Sequence, residues 1–364
     1  MTTIDRIAVH RLEVPLVTPY KLAFGPVKAF DTLIAEVVGS DGRRGIGEAT
    51  LLTGYTDETI DGSWALAREL APRLIGRRLA AAKAEALAHA DAAPFTATLF
   101  ASAIEMLEGH PALAVDKDTR VPLLGLVDAT ERAALADEID ALLAQGFETL
   151  KIKVGFDADA DARKVALIQE LNAGRARLRI DANQGYTAEE GCRFARALAP
   201  EAIELFEQPC PAGDWIAAKA VAEVSTVPMM LDESIYGLED IERAAQLKAA
   251  RFIKLKLMKL GSLSRLEAAL DRIRELGMEP VLGNGVACEP GCWMEACVAR
   301  ERIRNAGEMN GFLKPVARLF APPLAFERGA IVLKAAEAPA LDPAALARFA
   351  LGREEFTARA SAAV

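Results

Sequence analysis

The sequence predicts an α/β protein in which a TIM-like (β/α) barrel follows an N-terminal α+β domain, and three observations support this prediction. From Val121 onwards, short apolar segments alternate with amphipathic segments of helical period, a pattern typical of parallel strands joined by helical crossovers. The alternation continues for about 200 residues, which suits a barrel of up to eight βα units. The 364-residue chain is also 52% hydrophobic, so it can bury a large core.

The chain before this alternation has a different pattern. Strands are predicted over residues 7–15, 32–38 and 43–48. The glycine-bounded turn at 39–42 suits a hairpin between the last two strands. Alanine-rich segments of helical period then cover about 56–78 and 80–108. A sheet followed by helices indicates an α+β domain.

The barrel strands are predicted where the apolar segments lie. They cover residues 121–127, 150–154, 178–183, 203–209, 228–233, 252–258, 279–282 and, weakly, 307–311. After Pro315 the alternation ends, residues 325–334 are predicted as a hairpin, and Asp342-Pro343 begins a short helix. We expect this tail to return to the first domain. The predicted units are a first domain of 1–118, a barrel of 119–315 and a returning segment of 316–364.

Composition argues against several classes of partner. The chain has 43 Lys and Arg against 52 Asp and Glu, a net charge of -9, whereas nucleic acids and anionic membranes bind clustered positive charge. No apolar run approaches the roughly 18 residues that cross a bilayer. The five cysteines include no C-x-x-C pair, so we expect packed thiols in a cytoplasmic protein rather than a disulfide or zinc site. A small-molecule substrate is the expected partner, and barrels of this kind often form homo-oligomers.

Acidic residues lie at the ends of three successive predicted barrel strands. Asp181, Glu207 and Asp232 lie about 25 residues apart, the length of one βα unit, so all three are expected at the same barrel mouth. Carboxylates that converge there would repel one another unless a cation lies among them. An all-oxygen set favours a hard divalent ion, with Mg²⁺ first and Mn²⁺ second. The alternative is that each acid caps the helix after its strand.

Paired lysines occupy two of the predicted strands. Lys151 and Lys153 are two positions apart on a strand, so both point to the same face, and Lys254 and Lys256 repeat this spacing four strands later. Adjacent ammonium groups should lower the pKa of one lysine towards use as a base. We expect Lys153 and Lys256 to face each other across the barrel, whereas Lys254 is left open and Lys259 is placed at the end of its strand. The alternative is that the lysines only neutralise the carboxylates.

Taken together, these groups resemble the arrangement by which enzymes of the enolase superfamily remove the proton α to a carboxylate. A divalent ion stabilises the charge that develops, one lysine removes the proton, and the other returns a proton or stabilises charge. A Schiff base on Lys153 or Lys256, as in a class I aldolase, is a second hypothesis. A barrel that has lost activity and only binds ligands is a third.

At these residues the sequence resembles the enolase superfamily, specifically its muconate lactonizing enzyme subgroup. The matching motifs are K-I-K at 151–153, D-A-N-Q-G-Y at 181–186, E-Q-P at 207–209, D-E-S at 232–234, I-K-L-K-L-M-K-L-G at 253–261 and D-G-R-R-G-I-G-E-A at 41–49. The resemblance implies a (β/α)7β barrel with a capping domain. It implies Mg²⁺ held by Asp181, Glu207 and Asp232, with Lys153 and Lys256 as the opposed acid/base pair. Lys151, Asn183 and Glu233 are expected next to the substrate or behind the metal ligands.

The resemblance leaves the fate of the enolate open among racemisation or epimerisation, cycloisomerisation, and dehydration of the o-succinylbenzoate synthase type. All three histidines precede the barrel, so no barrel histidine can replace a lysine as base. The segment after the seventh strand lacks the D-x-D that dipeptide epimerases use for the substrate's amino group. The capping loops at 18–24 and 52–55 are expected to select the substrate, with Phe24 and Tyr55 as pocket candidates.

Overall fold

The computed structural model describes residues 1–22, 25–52, 57–336 and 338–358, so Phe24 and Tyr55 lie outside the described residues. The strands are, in chain order, β1 (Ile4–Leu22), β2 (Gly25–Gly39), β3 (Arg44–Leu51), β4 (Thr119–Pro122), β5 (Gly125–Val127), β6 (Thr149–Lys153), β7 (Arg177–Asp181), β8 (Ile203–Glu207), β9 (Met229–Leu231), β10 (Phe252–Leu255), β11 (Glu279–Leu282), β12 (Ala325–Glu327), β13 (Ala330–Leu333) and β14 (Ala350–Thr357). The helices are α1 (Ile60–Leu74), α2 (Leu79–Leu87), α3 (Pro94–Glu108), α4 (Arg132–Ala144), α5 (Ala158–Asn172), α6 (Ala188–Ala197), α7 (Trp215–Val224), α8 (Leu238–Leu247), α9 (Leu257–Leu260), α10 (Leu263–Glu275), α11 (Glu289–Arg302) and α12 (Pro343–Phe349).

The N-terminal part packs an antiparallel sheet on helices α1 to α3. Its strands pair in the order β14–β1–β2–β3, and buried residues such as Val37, Leu70 and Leu99 form the core between sheet and helices. The helical segment predicted over 80–108 is two helices, because Pro94 starts a new helix at its first turn. The capping sheet therefore agrees with the α+β prediction.

The C-terminal tail returns to this first sheet, as predicted. Helix α12 begins after Asp342, whose side chain accepts a hydrogen bond from the Ala344 amide, and β14 then pairs antiparallel with β1. The predicted hairpin is β12 and β13, and β13 also pairs with β4. The capping layer is thus built from both ends of the chain.

The barrel is a ring of parallel strands that pair in chain order from β5 to β11 within the described residues. The segment at Gly307 closes the ring. Its amide donates to Pro122 O at 2.9 Å, and the Glu308 amide donates to Leu282 O at 3.0 Å. The weak eighth strand predicted over 307–311 is therefore a short bridge, and a 3₁₀ helix follows at Gly311–Leu313. The fold is the predicted (β/α)7β TIM-like barrel.

Several strand ends differ from the prediction. The first segment, 121–127, is split, since Pro122 has no N–H for further pairing and β4 leaves the barrel to join β13. Strands β7 and β8 end early because Asn183 and Gln208 have positive φ angles of 41° and 37°, which turn the chain away from the sheet. Strand β10 stops at Leu255, and a short helix begins at Leu257. These early turns bring the polar residues that follow each strand over the barrel mouth.

The sequence predicts packed cysteine thiols and contains no apolar run long enough to cross a bilayer. Within the described ranges, the five cysteines are free thiols and four of them are buried, which agrees with packed residues. Burial raises the pKa of the Cys288 and Cys292 thiols, so both are protonated at neutral pH. No helix in the described ranges is both long and apolar enough to span a membrane.

Candidate active site

The predicted carboxylates meet at the barrel mouth. Asp181 and Glu207 are the last residues of β7 and β8 and are paired neighbours in the sheet, while Asp232 directly follows β9. Their side chains are essentially inaccessible, at 0%, 0% and 2% exposure. Because buried carboxylates require compensating charge, the groups between them decide what this site can do.

Lys151 and Lys254 lie between these carboxylates. Lys151 Nζ is 2.7 Å from Asp181 Oδ2 and 2.8 Å from Glu207 Oε2. Lys254 Nζ is 3.1 Å from Glu207 Oε1 and 3.2 Å from Asp232 Oδ2. Lys254 therefore points into the site, which answers the question that the sequence left open.

Lys153 and Lys256 approach the same carboxylates from positions four strands apart. Lys153 Nζ donates to Asp181 Oδ2 at 2.6 Å and to Asn183 Oδ1 at 2.5 Å. Lys256 follows β10 and donates to Asp232 Oδ2 at 2.8 Å. Both lysines line the same cavity. The two ammonium groups thus border the carboxylate cluster at different ends.

Two residues of the site were missed or misplaced by sequence reasoning. Glu308 follows the closing bridge of the barrel, and its carboxylate is 2.9 Å from Lys151 Nζ and 2.5 Å from Lys254 Nζ. Its only sequence signal was an acid within the weak eighth strand predicted over 307–311. Lys259 was placed at the end of a strand, but it lies on α9 and donates to Asp232 Oδ1 at 3.0 Å. Because a helix begins at Leu257, Lys259 is turned back towards the site.

The charges of the cluster are strongly interdependent. Burial disfavours the Lys151 ammonium, but the carboxylates of Asp181 and Glu207 outweigh it and raise its pKa. Lys151 is therefore not a lysine whose pKa is lowered towards use as a base, since the carboxylates of Asp181, Glu207 and Glu308 contact its ammonium group. Burial also opposes ionisation of Asp181, yet Lys151 and Lys153 lower its pKa to about 2. Burial and the nearby Asp181 raise the pKa of Glu207 to about 7. An added cation would relieve that last effect.

Asn183 and Glu233 surround the lysines and the carboxylates. The Asn183 amide donates to Asp181 Oδ1 at 2.9 Å, and its side-chain Nδ2 donates to Glu233 Oε1 at 3.1 Å. Glu233 Oε2 is buried and has no hydrogen-bond partner among the described residues. Asn183 therefore fixes the orientation of both Asp181 and Lys153, whereas half of the Glu233 carboxylate is left to contact a ligand.

The donor set fits a hard divalent cation. Asp181, Glu207 and Asp232 supply only carboxylate oxygens, as Mg²⁺ prefers, and Glu207 Oε2 makes no well-directed hydrogen bond although Lys151 Nζ is close. Among the described residues no three acidic, histidine or cysteine side chains are already gathered around one point. The ammonium groups of Lys151 and Lys254 lie there instead. For an ion to bind between the carboxylates, the Lys151 and Lys254 ammonium groups would therefore have to move out of this position.

A cavity of about 520 Å³ connects this cluster to the capping domain. Its barrel side includes the four lysines of the K-x-K pairs. Its capping side includes Thr50, Leu52, Asp57, Asp91, Pro94 and Phe95. A volume of this size suits a small-molecule ligand. The capping residues are therefore in a position to contact the part of a ligand that lies farthest from the lysines.

Family models match both parts of the chain. Residues 6–108 match the mandelate racemase / muconate lactonizing enzyme N-terminal domain, and residues 134–339 match the enolase C-terminal domain-like family. Two relatives are similar along most of their length. An L-Ala-D/L-Glu epimerase of Bacillus subtilis is 31% identical over 308 residues, which are 79% of this chain and 82% of the relative. An L-Lys-D/L-Arg epimerase of Methylococcus capsulatus is 32% identical over 280 residues, or 71% of this chain and 76% of the relative.

Solved structures share the fold at lower identity. A dipeptide epimerase from Cytophaga hutchinsonii, complexed with Mg and D-Ala-L-Val, has a TM-score of 0.88 and 22% identity, covering 98% of this chain and 100% of that one. A muconate lactonizing enzyme from Pseudomonas fluorescens, complexed with muconolactone, has a TM-score of 0.86 and 23% identity, covering 96% and 99%. At these identities the likeness establishes a common fold.

Proposed function

The chain belongs to the muconate lactonizing enzyme subgroup of the enolase superfamily and is an isomerase, and from this we propose that Lys153 and Lys256 epimerise or racemise a small carboxylate with Mg²⁺. One lysine removes the proton α to the carboxylate, which gives an enolate, and the other returns a proton from the opposite face. The substrate class is an acylated amino acid or a dipeptide, since the relatives named above act on dipeptides.

One observation carries this proposal: Lys153, the last residue of β6, and Lys256, directly after β10, line one cavity from strands that are four positions apart in the barrel. Each contacts a different carboxylate, Asp181 for Lys153 and Asp232 for Lys256. A planar enolate between two amines can be protonated from either face, which is what epimerisation needs. The side chains of Lys153 and Lys256 are 19% and 8% exposed, against 1% and 2% for Lys151 and Lys254, so the first two are the lysines that a ligand can reach more readily.

The neighbouring residues orient the two lysines for their roles. Asn183 Oδ1 accepts a hydrogen bond from Lys153, and Asp232 accepts one from Lys256, so both amines are held before a substrate arrives. For turnover one amine must be neutral and its opposite charged, and the two states exchange during each reaction. Lys151 and Lys254 remain positive beside the carboxylates, because Asp181, Glu207, Asp232 and Glu308 raise their pKa values despite burial.

Asp181, Glu207 and Asp232 would hold the metal ion. When bound, Mg²⁺ supplies a Lewis acid that stabilises negative charge on the substrate carboxylate as the α-proton leaves. The Asn183 backbone amide, which donates to Asp181 Oδ1, would keep the Asp181 carboxylate oriented for this role. Mn²⁺ prefers similar oxygen ligands and is expected to substitute.

The test is a panel of N-acyl amino acids, dipeptides and muconate-like acids in D₂O, followed by NMR. We expect at least one amino acid derivative to gain deuterium at the α-carbon and to yield both stereoisomers. A chelator should abolish this exchange and added Mg²⁺ should restore it. A product that lacks water or carries a new ring would contradict epimerisation, and inactivation by borohydride with a carbonyl substrate would favour the Schiff-base hypothesis instead.

A further inference from the structure

We propose that the capping side of the cavity, together with Glu233, binds a cationic group on the part of the substrate remote from the reacting carboxylate. The residues that form this cation subsite are Asp57, Asp91 and Glu233. The ligand chemistry is an ammonium or guanidinium group. The inference deepens the proposed function, on which it rests for the position of the carboxylate end.

Charge is distributed unevenly around the cavity. On the barrel side, four lysines are balanced by the carboxylates of Asp181, Asp232, Glu233 and Glu308. On the capping side, the described lining residues include the carboxylates of Asp57 and Asp91 but no lysine or arginine. A divalent cation would add positive charge at the barrel end only. The cavity therefore suits a ligand that is negative at the barrel end and positive at the capping end.

Asp57 and Asp91 are available to such a ligand. Both side chains are exposed to solvent, and neither makes a hydrogen bond or ion pair with a described residue. Most other acids of the capping domain are engaged; Asp61, for example, contacts Arg11 at 2.7 Å. Acids that border a substrate cavity without a basic neighbour attract a cation and repel an anionic substituent.

Glu233 provides an independent observation from the barrel side. Its side chain lines the cavity and is only 8% exposed, yet Oε2 has no hydrogen-bond partner among the described residues. Native proteins seldom leave a buried carboxylate oxygen without a partner, because its desolvation is not offset. An N–H donor on the ligand would satisfy this oxygen.

Glu233 and Asp57 line the same cavity from its two sides. Glu233 lies on the barrel side and Asp57 on the capping side, and the Tyr236 side chain lines the cavity as well. In a cavity of about 520 Å³, one cationic group of a ligand can therefore face both carboxylates.

Two sources could supply the cation: the N-terminal ammonium of a dipeptide, or the side chain of a basic residue. Four dipeptides with C-terminal L-Ala separate them, with lysine or norleucine at the first position and the N-terminus either free or acetylated. Exchange at the alanine α-carbon gives kcat/KM, and calorimetry with the Mg²⁺-loaded protein gives affinity. The acetylated norleucine compound has no cationic group, whereas the acetylated lysine compound and the free norleucine compound have one each. We expect the compound without a cation to have a kcat/KM at least tenfold lower than the better of these two, mainly because its KM is higher. Whichever singly charged compound is preferred identifies the source.

Variants of Asp57 and Asp91 test whether these residues cause the preference for cationic dipeptides. Asp57→Asn and Asp91→Asn should each reduce the preference for the cation about three- to fivefold, and increasing salt should reduce it in the wild type. Asp5→Asn, an exposed acid on β1, is the matched control and should leave the preference unchanged. Equal affinity for charged and neutral dipeptides, or a preference that survives in both cavity variants, would overturn the inference. If no compound exchanged, the proposed function would fail, while calorimetry would still decide the subsite.

Discussion

Glu295 fixes the backbone next to Lys256, one of the two proposed acid/base residues. Its Oε1 accepts a hydrogen bond from the Leu257 amide at 2.8 Å, and its side chain is buried. Burial raises its pKa to about 8, so Glu295 is mostly protonated at neutral pH. A neutral carboxyl group can position Lys256 through the backbone without pairing with its amine.

Replacing Glu295 by glutamine should therefore stabilise the protein at high pH. In the unfolded chain the carboxyl group ionises near pH 4.5, whereas in the folded protein it stays protonated up to about pH 8. Wild-type stability should thus fall relative to E295Q as pH rises from 5 to 8, by on the order of 3 kcal/mol. Urea unfolding in the presence of a chelator measures the difference. Glu301→Gln, exposed on the same helix, should show no such trend, and a pH-independent difference for E295Q would contradict the assignment.

At the level of residues, regular spacing made much of the site predictable. One acid per βα unit predicts that Asp181, Glu207 and Asp232 share one barrel mouth, because strand ends in a barrel lie on one rim. The role of each residue stays a prediction. Glu308 could not be found in the same way, since the eighth strand is a bridge too short to give an apolar pattern. The Glu233 oxygen without a hydrogen-bond partner among the described residues depends on packing that a sequence does not encode locally.

The end of strand β11 shows how closely neighbouring elements approach at the barrel mouth. Gly283 has a φ of 138°, and a Cβ atom at this position would lie 2.5 Å from the Glu308 backbone nitrogen. A side chain here would have to displace the segment that carries Glu308, because the obstacle is backbone rather than a flexible side chain.

We therefore predict that Gly283→Ala destabilises the protein by about 2–4 kcal/mol. Activity should fall as well, since Glu308 contacts both Lys151 and Lys254. Gly213→Ala is the matched control, because a Cβ atom there meets nothing within 4 Å and the change should stay within about 0.5 kcal/mol. Urea denaturation of both variants provides the comparison. Equal stability of the two would show that the barrel mouth tolerates displacement of the closing segment.

Among the elements, the apolar runs gave the order and type of the strands but not their ends. The bounds of β11 agree with the predicted 279–282, whereas β10 ends at Leu255, three residues before the predicted end. At this point the Glu295 carboxyl group of α11 accepts a hydrogen bond from the Leu257 amide, which stabilises the start of α9 in place of a longer strand. Local patterns cannot report a contact with a partner so far along the chain.

On the scale of the whole molecule, the capping domain and the barrel are joined by buried polar contacts. Glu48 of β3 accepts hydrogen bonds from the Cys288 amide at 2.6 Å and the Gly291 amide at 2.8 Å, at the start of α11. These contacts use the unpaired amides of a helix N-terminus. The sequence predicted both units and the returning tail, but this contact spans 240 residues and had no local signal. The Glu48 contacts therefore fix the capping sheet against the start of α11.

Proton transfer by two opposed lysines is tested most directly by α-proton exchange in D₂O, measured for variants that keep only one lysine of the proposed pair. With an exchanging substrate supplied as each pure stereoisomer, we predict that Lys153→Met loses exchange of one isomer by at least about 100-fold and retains the other, and that Lys256→Met does the reverse. Lys219→Met, an exposed lysine on α7, should behave as wild type, and thermal unfolding should establish that all variants are folded. If either variant exchanged both isomers at the wild-type rate, or if both variants lost the same isomer, proton transfer between two opposed lysines would be contradicted.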